Sequence, residues 1–134
     1  MASCGESPAF AVDADEIGYR EAADLTVVRM FVRSHAIRLG LPPLRADMLT
    51  LAVSELATNT LQHTSGGGRV RVWAVGDRLH CEVIDQGAVR TFGRAMPAAD
   101  AIRGRGLAIV ERICDEIDIR EEADGTHVRL GLLL

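Results

Sequence analysis

With 134 residues the chain suffices for one hydrophobic core and is too short for two; apolar residues at 48% can fill it, although aromatics at 4% leave the packing to Leu, Val, Ile and Ala. A net charge of −4 argues against a nucleic-acid partner, and three widely spaced cysteines among four scattered histidines form neither a disulfide framework nor a zinc pattern. No apolar run approaches the roughly 18–20 residues of a bilayer crossing, and the N-terminus lacks the basic start and apolar stretch of a signal peptide, so the expectation is a cytoplasmic chain with no membrane partner.

Along the chain, residues 1–15 are small and mixed, with Phe10-Ala11-Val12 as a short edge strand or part of a loose tail. From Glu21 to Leu39 the residues Leu25, Val28, Phe31, Val32, Ala36 and Leu39 recur at helical spacing, closed by Gly40 and by Pro42-Pro43. A second helix is predicted over Leu44–His63, with Met48, Leu49, Ala52, Val53, Leu56 and Ala57 as its apolar stripe and Thr64 to Gly68 as its end. Val70, Val72 and Ala74 then alternate with Arg71, Trp73 and Val75 in a strand, Gly76-Asp77 turns the chain, and Leu79, Cys81 and Val83 alternate in the partner strand up to Ile84-Asp85. Residues 86–105 show no period and form a long loop. A third helix follows from about Gly106, Ile117 and Ile119 mark a strand, and Asp124-Gly125 turns into a last strand from Thr126 to Leu133. This order predicts an α+β fold, a two-layer α/β sandwich with helices packed on one face of a mixed, mainly antiparallel sheet.

Three polar signals interrupt the apolar pattern. Glu55, Asn59 and His63 stand at i, i+4 and i+8, and each step of four turns the helix by about 40°, so they form one slanting row beside the stripe. A carboxylate there can take a proton and an amide oxygen can ligate Mg²⁺, or the row is a solvated face. Asp85-Gln86-Gly87 ends an apolar strand; the carboxylate can accept a hydrogen bond from an exocyclic amine, or the segment is an ordinary turn. Gly104-Arg105-Gly106-Leu107 opens a helix, where free N–H groups and an arginine suit an anion, or where the glycines form a hinge. All 15 basic residues are arginine, so the lysine-dependent machinery of P-loops and of eukaryotic-type kinases is excluded.

In this order the segments resemble the boxes of the GHKL (histidine-kinase-like) ATPases. Glu55-Leu56-Ala57-Thr58-Asn59-Thr60-Leu61-Gln62-His63 resembles the N-box, Asp85-Gln86-Gly87 the G1 box and Gly104-Arg105-Gly106-Leu107 the G2 box. Gly125-Thr126-His127-Val128 resembles the strand that completes the adenine pocket, and the resemblance spans roughly residues 20–134. Within the superfamily, Ser54-Glu55-Leu56 and the Gly104 to Val110 run are similar to the anti-sigma-factor serine/threonine kinases.

The resemblance implies a Bergerat-type fold binding ATP and Mg²⁺. It implies Glu55 as general base, Asn59 as Mg²⁺ ligand, and Asp85 as reader of the adenine amine supported by Thr126. It further implies Gly104 and Gly106 cradling the phosphates through backbone N–H groups, Gly87, Arg105 and Leu107 as residues of the same nucleotide site, and residues 88–103 as a lid. The implied activity is phosphorylation of an anti-anti-sigma (STAS-type) protein together with sequestration of a sigma factor, in a chain that can act as a homodimer. One departure stands out: Ala88 and Val89 follow Gly87 where the family carries a second glycine, and stiff Val89 disfavours a left-handed backbone. That substitution keeps a second expectation open, a non-catalytic regulator-binding module with a degenerate or structural ATP site.

Overall fold

A computed structural model describes residues 14–63, 66–85 and 107–134, with backbone alone at 63 and 107–109. The chain starts with strand β1 (Asp15–Tyr19), passes a 3₁₀ turn (Ala22–Asp24) and enters helices α1 (Leu25–Leu39) and α2 (Pro43–His63). Strands β2 (Gly68–Val75) and β3 (Arg78–Asp85), helix α3 (Leu107–Ile113) and strands β4 (Glu116–Glu122) and β5 (Gly125–Leu133) follow. The five strands form one sheet in the order β1-β2-β3-β5-β4, and all four pairings are antiparallel. The expected helical layer on a mainly antiparallel sheet is thus present. Phe10-Ala11-Val12 lies outside the described residues, and β1 begins at Asp15, the last residue of the segment read as a tail.

Local chemistry accounts for the boundaries. Asp24 Oδ2 accepts from the Arg20 and Glu21 N–H groups at 2.8 and 3.2 Å and organises the entry to α1. Leu25, Val28, Val32 and Ala36 form its buried stripe. Its end is a Schellman closure: Gly40 takes a left-handed φ of 118°, and the Leu41 N–H reaches back to the Ala36 carbonyl at 2.9 Å. Pro43 then opens α2, where a missing N–H costs nothing.

In α2 the core takes Ala46, Leu49, Ala52, Val53, Leu56 and Ala57. Met48, expected in this stripe, is instead 37% exposed, because one residue from Leu49 is about 100° of helix rotation. An ion pair of 2.6 Å between Arg33 and Asp47 clips α2 to α1. At the start of α2, Arg45 donates to the Leu133 carbonyl at 2.7 Å and the Ile113 carbonyl at 3.2 Å, tying this helix to the ends of β5 and α3.

The helices cover one face of the sheet. Val70 and Val72 of β2, Leu79, Cys81 and Val83 of β3, Val128, Leu130 and Leu132 of β5, and Val110 and Ile113 of α3 join the α1 and α2 stripes in one core. On the opposite face the sheet covers itself. The Trp73 ring stacks on His80 with centroids 5.2 Å apart, and the Arg71 and Arg129 guanidiniums lie 5.6 and 5.9 Å from its centre. Glu82 is buried there and pairs with Arg71 and His127 at 3.5 Å and with Arg129 at 3.7 Å.

The assignment of the α2 stripe has a direct check by urea denaturation. Leu49→Ala should lower stability by about 2–5 kcal/mol, whereas Met48→Ala should change it by under about 1 kcal/mol.

Candidate functional site

Several buried polar residues lie level with one another at one end of the sheet. Cross-strand register sets Tyr19 of β1 opposite Gly68 of β2, and Gly68 opposite Asp85 of β3. The β3–β5 pairing runs to Ile84 opposite His127, and one further step brings Asp85 level with Thr126; β4 adds Glu121 opposite Thr126. Residues level with each other in antiparallel strands point to the same side, so Tyr19, Asp85 and Thr126 face the helices in one row. All three are buried.

Gly68 is what lets this row close. A Cβ built on it would meet the Tyr19 hydroxyl at 2.5 Å and the Ile84 carbonyl closer still. The missing side chain lets the phenol lie across β2. Gly67, at φ 73°, is equally constrained, since a Cβ there would run into the Tyr19 carbonyl and the Arg20 Cα. From above, α2 contributes Thr60, whose hydroxyl donates to the Leu56 carbonyl at 3.2 Å. The Tyr19 hydroxyl faces Thr60 and the Asp85 carboxylate but makes no hydrogen bond of full geometry. Burial pushes its phenol up to about 12, opposed by Thr60 and reinforced by the Asp85 charge.

Within the slanting row of α2, Glu55 is exposed and Asn59 is 5% exposed. The 40° turn per step carries the row from solvent into the layer between helix and sheet. The Asn59 Oδ1 atom is buried without a hydrogen-bond partner. An orphaned neutral amide oxygen at such a place fits a hard cation. Among the described residues no group of three or more His, Cys, Asp or Glu could hold a metal on its own. A Mg²⁺ ion here would therefore rest on Asn59 together with ligand oxygens and water, as Mg²⁺ commonly does. Free Cys81 and Cys114 offer no nucleophile, since burial raises both thiols, Cys114 to about 12.

Of the residues singled out in the sequence, the structure thus brings Asp85 and Thr126 into one row and buries Asn59 on the helix above, while Glu55 lies one turn from Asn59, about 6 Å along the axis. Leu107 is the first residue of α3, and Gly87, Gly104, Arg105, Gly106 and the lid segment 88–103 lie outside the described residues. Tyr19, Thr60 and Gly68 were not anticipated as part of a site. Tyr19 sits on the strand that the sequence did not disclose, and Gly68 read only as the end of a helix. Their available signals were the single tyrosine and the glycine triplet ahead of β2.

Compared with known proteins, residues 20–132, most of the chain, match the family profile described as histidine kinase-like ATPase domain. Among solved structures the chain is similar to the histidine kinase domain of the blue-light-activated histidine kinase EL346 from Erythrobacter litoralis, with a TM-score of 0.52 and 21% identity. That alignment covers 84% of this chain and 60% of the kinase chain, and at such identity it speaks to the fold alone. No curated protein matches the chain.

The buried phenol makes a pH prediction. An unfolded tyrosine loses its proton near pH 10 and the folded one near 12, so the stabilisation carried by the neutral phenol is whole below pH 10 and is lost as the pH rises to 12. With one tyrosine in the chain, ultraviolet titration of the phenolate should give a midpoint near 12. Relative to Tyr19→Phe, the native chain should lose about 2–3 kcal/mol across that window; a midpoint near 10 would contradict the burial.

Proposed function

The chain belongs to the histidine kinase-like ATPase domain family, and from that membership we propose that it binds ATP with Mg²⁺ at the strand-end row and transfers the terminal phosphoryl group to a serine or threonine of a partner protein. Two observations support the reading: the buried strand-end carboxylate Asp85 lies level with Thr126, and the Asn59 amide oxygen is buried on α2 without a hydrogen-bond partner. In this reading Asp85 accepts a hydrogen bond from the exocyclic amine of adenine, with Thr126 in support. A bound Mg²⁺ supplies charge neutralisation on the phosphates, and Asn59 is its protein ligand. Exposed Glu55 takes the proton of the incoming hydroxyl as that oxygen attacks the terminal phosphorus and the bond to the ADP oxygen breaks.

The partner in this proposal is an anti-anti-sigma protein of the STAS type that presents the acceptor hydroxyl, and the same domain holds a sigma factor inactive. The similarity of Ser54-Glu55-Leu56 and of the Gly104 to Val110 run to the anti-sigma kinases supports this choice. The Ala88-Val89 departure supports a second reading, in which the domain sequesters its regulator without phosphoryl transfer.

Calorimetry and label transfer separate the roles. Asp85→Asn should weaken ATP binding more than about 10-fold, and Asn59→Ala should remove the dependence of binding on Mg²⁺. Glu55→Gln should leave nucleotide affinity within about 3-fold while lowering phosphoryl transfer to the partner by about 10²–10⁴-fold. ATP binding by the native chain with no transfer to any STAS-type partner would select the sequestering module, and absence of ATP binding would refute the nucleotide site.

A further inference from the structure

We propose that Tyr19 is a positioning residue of the adenine site: its hydroxyl, reaching across Gly68, orients the Asp85 carboxylate toward the base when the nucleotide binds. The proposal rests on the nucleotide reading of the site and adds to it a residue from β1, a strand outside all the motif segments.

Two independent features place the hydroxyl there. Register sets Tyr19 and Asp85 on opposite sides of the same β2 residue, Gly68. Its absent side chain leaves the path between them open, because a Cβ would stand 2.5 Å from the Tyr19 hydroxyl. Tyr19 is 1% exposed, and its hydroxyl lacks a hydrogen bond of full geometry although it faces Thr60 and Asp85. A buried hydroxyl that falls short of a full hydrogen bond is costly, and such groups in native folds call for an explanation. If packing alone were served, phenylalanine would fill the same space without that cost. The hydroxyl gains a full hydrogen bond if Asp85 turns one oxygen to it while the other accepts the exocyclic amine; a carboxylate has acceptor sites for both. Base recognition would then be felt at β1, the edge of the sheet next to α1.

The test compares ADP with inosine diphosphate, which lacks the exocyclic amine, by calorimetry with Mg²⁺ on the full chain and on Tyr19→Phe. The expected result is a loss of about 3- to 10-fold in ADP affinity with inosine diphosphate affinity unchanged. Loss of both affinities together, or of neither, would overturn the proposal. A second measurement uses the single tyrosine, labelled with ¹³C at the ring carbon bearing the hydroxyl. Its resonance should move on saturation with ADP and stay in place with inosine diphosphate; no movement with ADP overturns the proposal even if Tyr19→Phe fails to fold. If the native chain binds no ADP, it is the nucleotide reading that falls, and the role of Tyr19 with it.

Discussion

Tyr19 and Asp85 belong to strands that never pair with each other, and each is paired with the same residue of the strand between them, Gly68. Antiparallel register puts all three on one side of the sheet, and a side chain at the middle position would separate the outer two. Glycine at this position therefore lets the phenol reach across β2 toward the carboxylate. Its neighbour Gly67 is constrained from the backbone, since its left-handed φ of 73° and the nearby Tyr19 carbonyl leave no room for a Cβ. The carboxylate at the strand end is then no isolated buried charge, because it lies among hydroxyl-bearing side chains.

The helical layer lies over this row. At the start of α2, Arg45 bonds two backbone carbonyls, at the ends of β5 and α3, and the buried stripe from Ala46 to Ala57 seats the helix on the core. Further along, the same packing determines which residues are buried. Leu56, Asn59 and Thr60 are buried, and Glu55 stays in solvent. The i, i+4 spacing is thus a way of passing from solvent to interior along one helix.

The face of the sheet away from the helices solves a different problem. Lacking a helical layer among the described residues, it buries Trp73 under two guanidiniums and surrounds Glu82 with Arg71, Arg129 and His127. A charge so deep is tolerable only with several partners, and an arginine-only complement of cations suits this layer, because the planar guanidinium can stack on an indole and pair with a carboxylate at once.

Periodicity alone disclosed α1, α2, both hairpins and the strand-ending Asp85, because apolar spacing of 3.6 or 2 and glycine turns are local properties of the chain. The motif segments likewise contain Asn59, Asp85 and Thr126, all three of which the fold buries. Hidden from that reading were β1, whose five residues Asp-Glu-Ile-Gly-Tyr have no clear alternation, and the outward position of Met48. Both depend on partners distant in sequence: β1 is a strand because β2 offers it an edge, and Met48 is exposed because the core packs against Leu49, one residue around the helix. The sequence by itself determined which elements form and which residue types could do chemistry. Only the tertiary structure decided that Tyr19 and Asp85 flank one glycine in the same row, since register between strands is a property of the assembled sheet and not of any single segment.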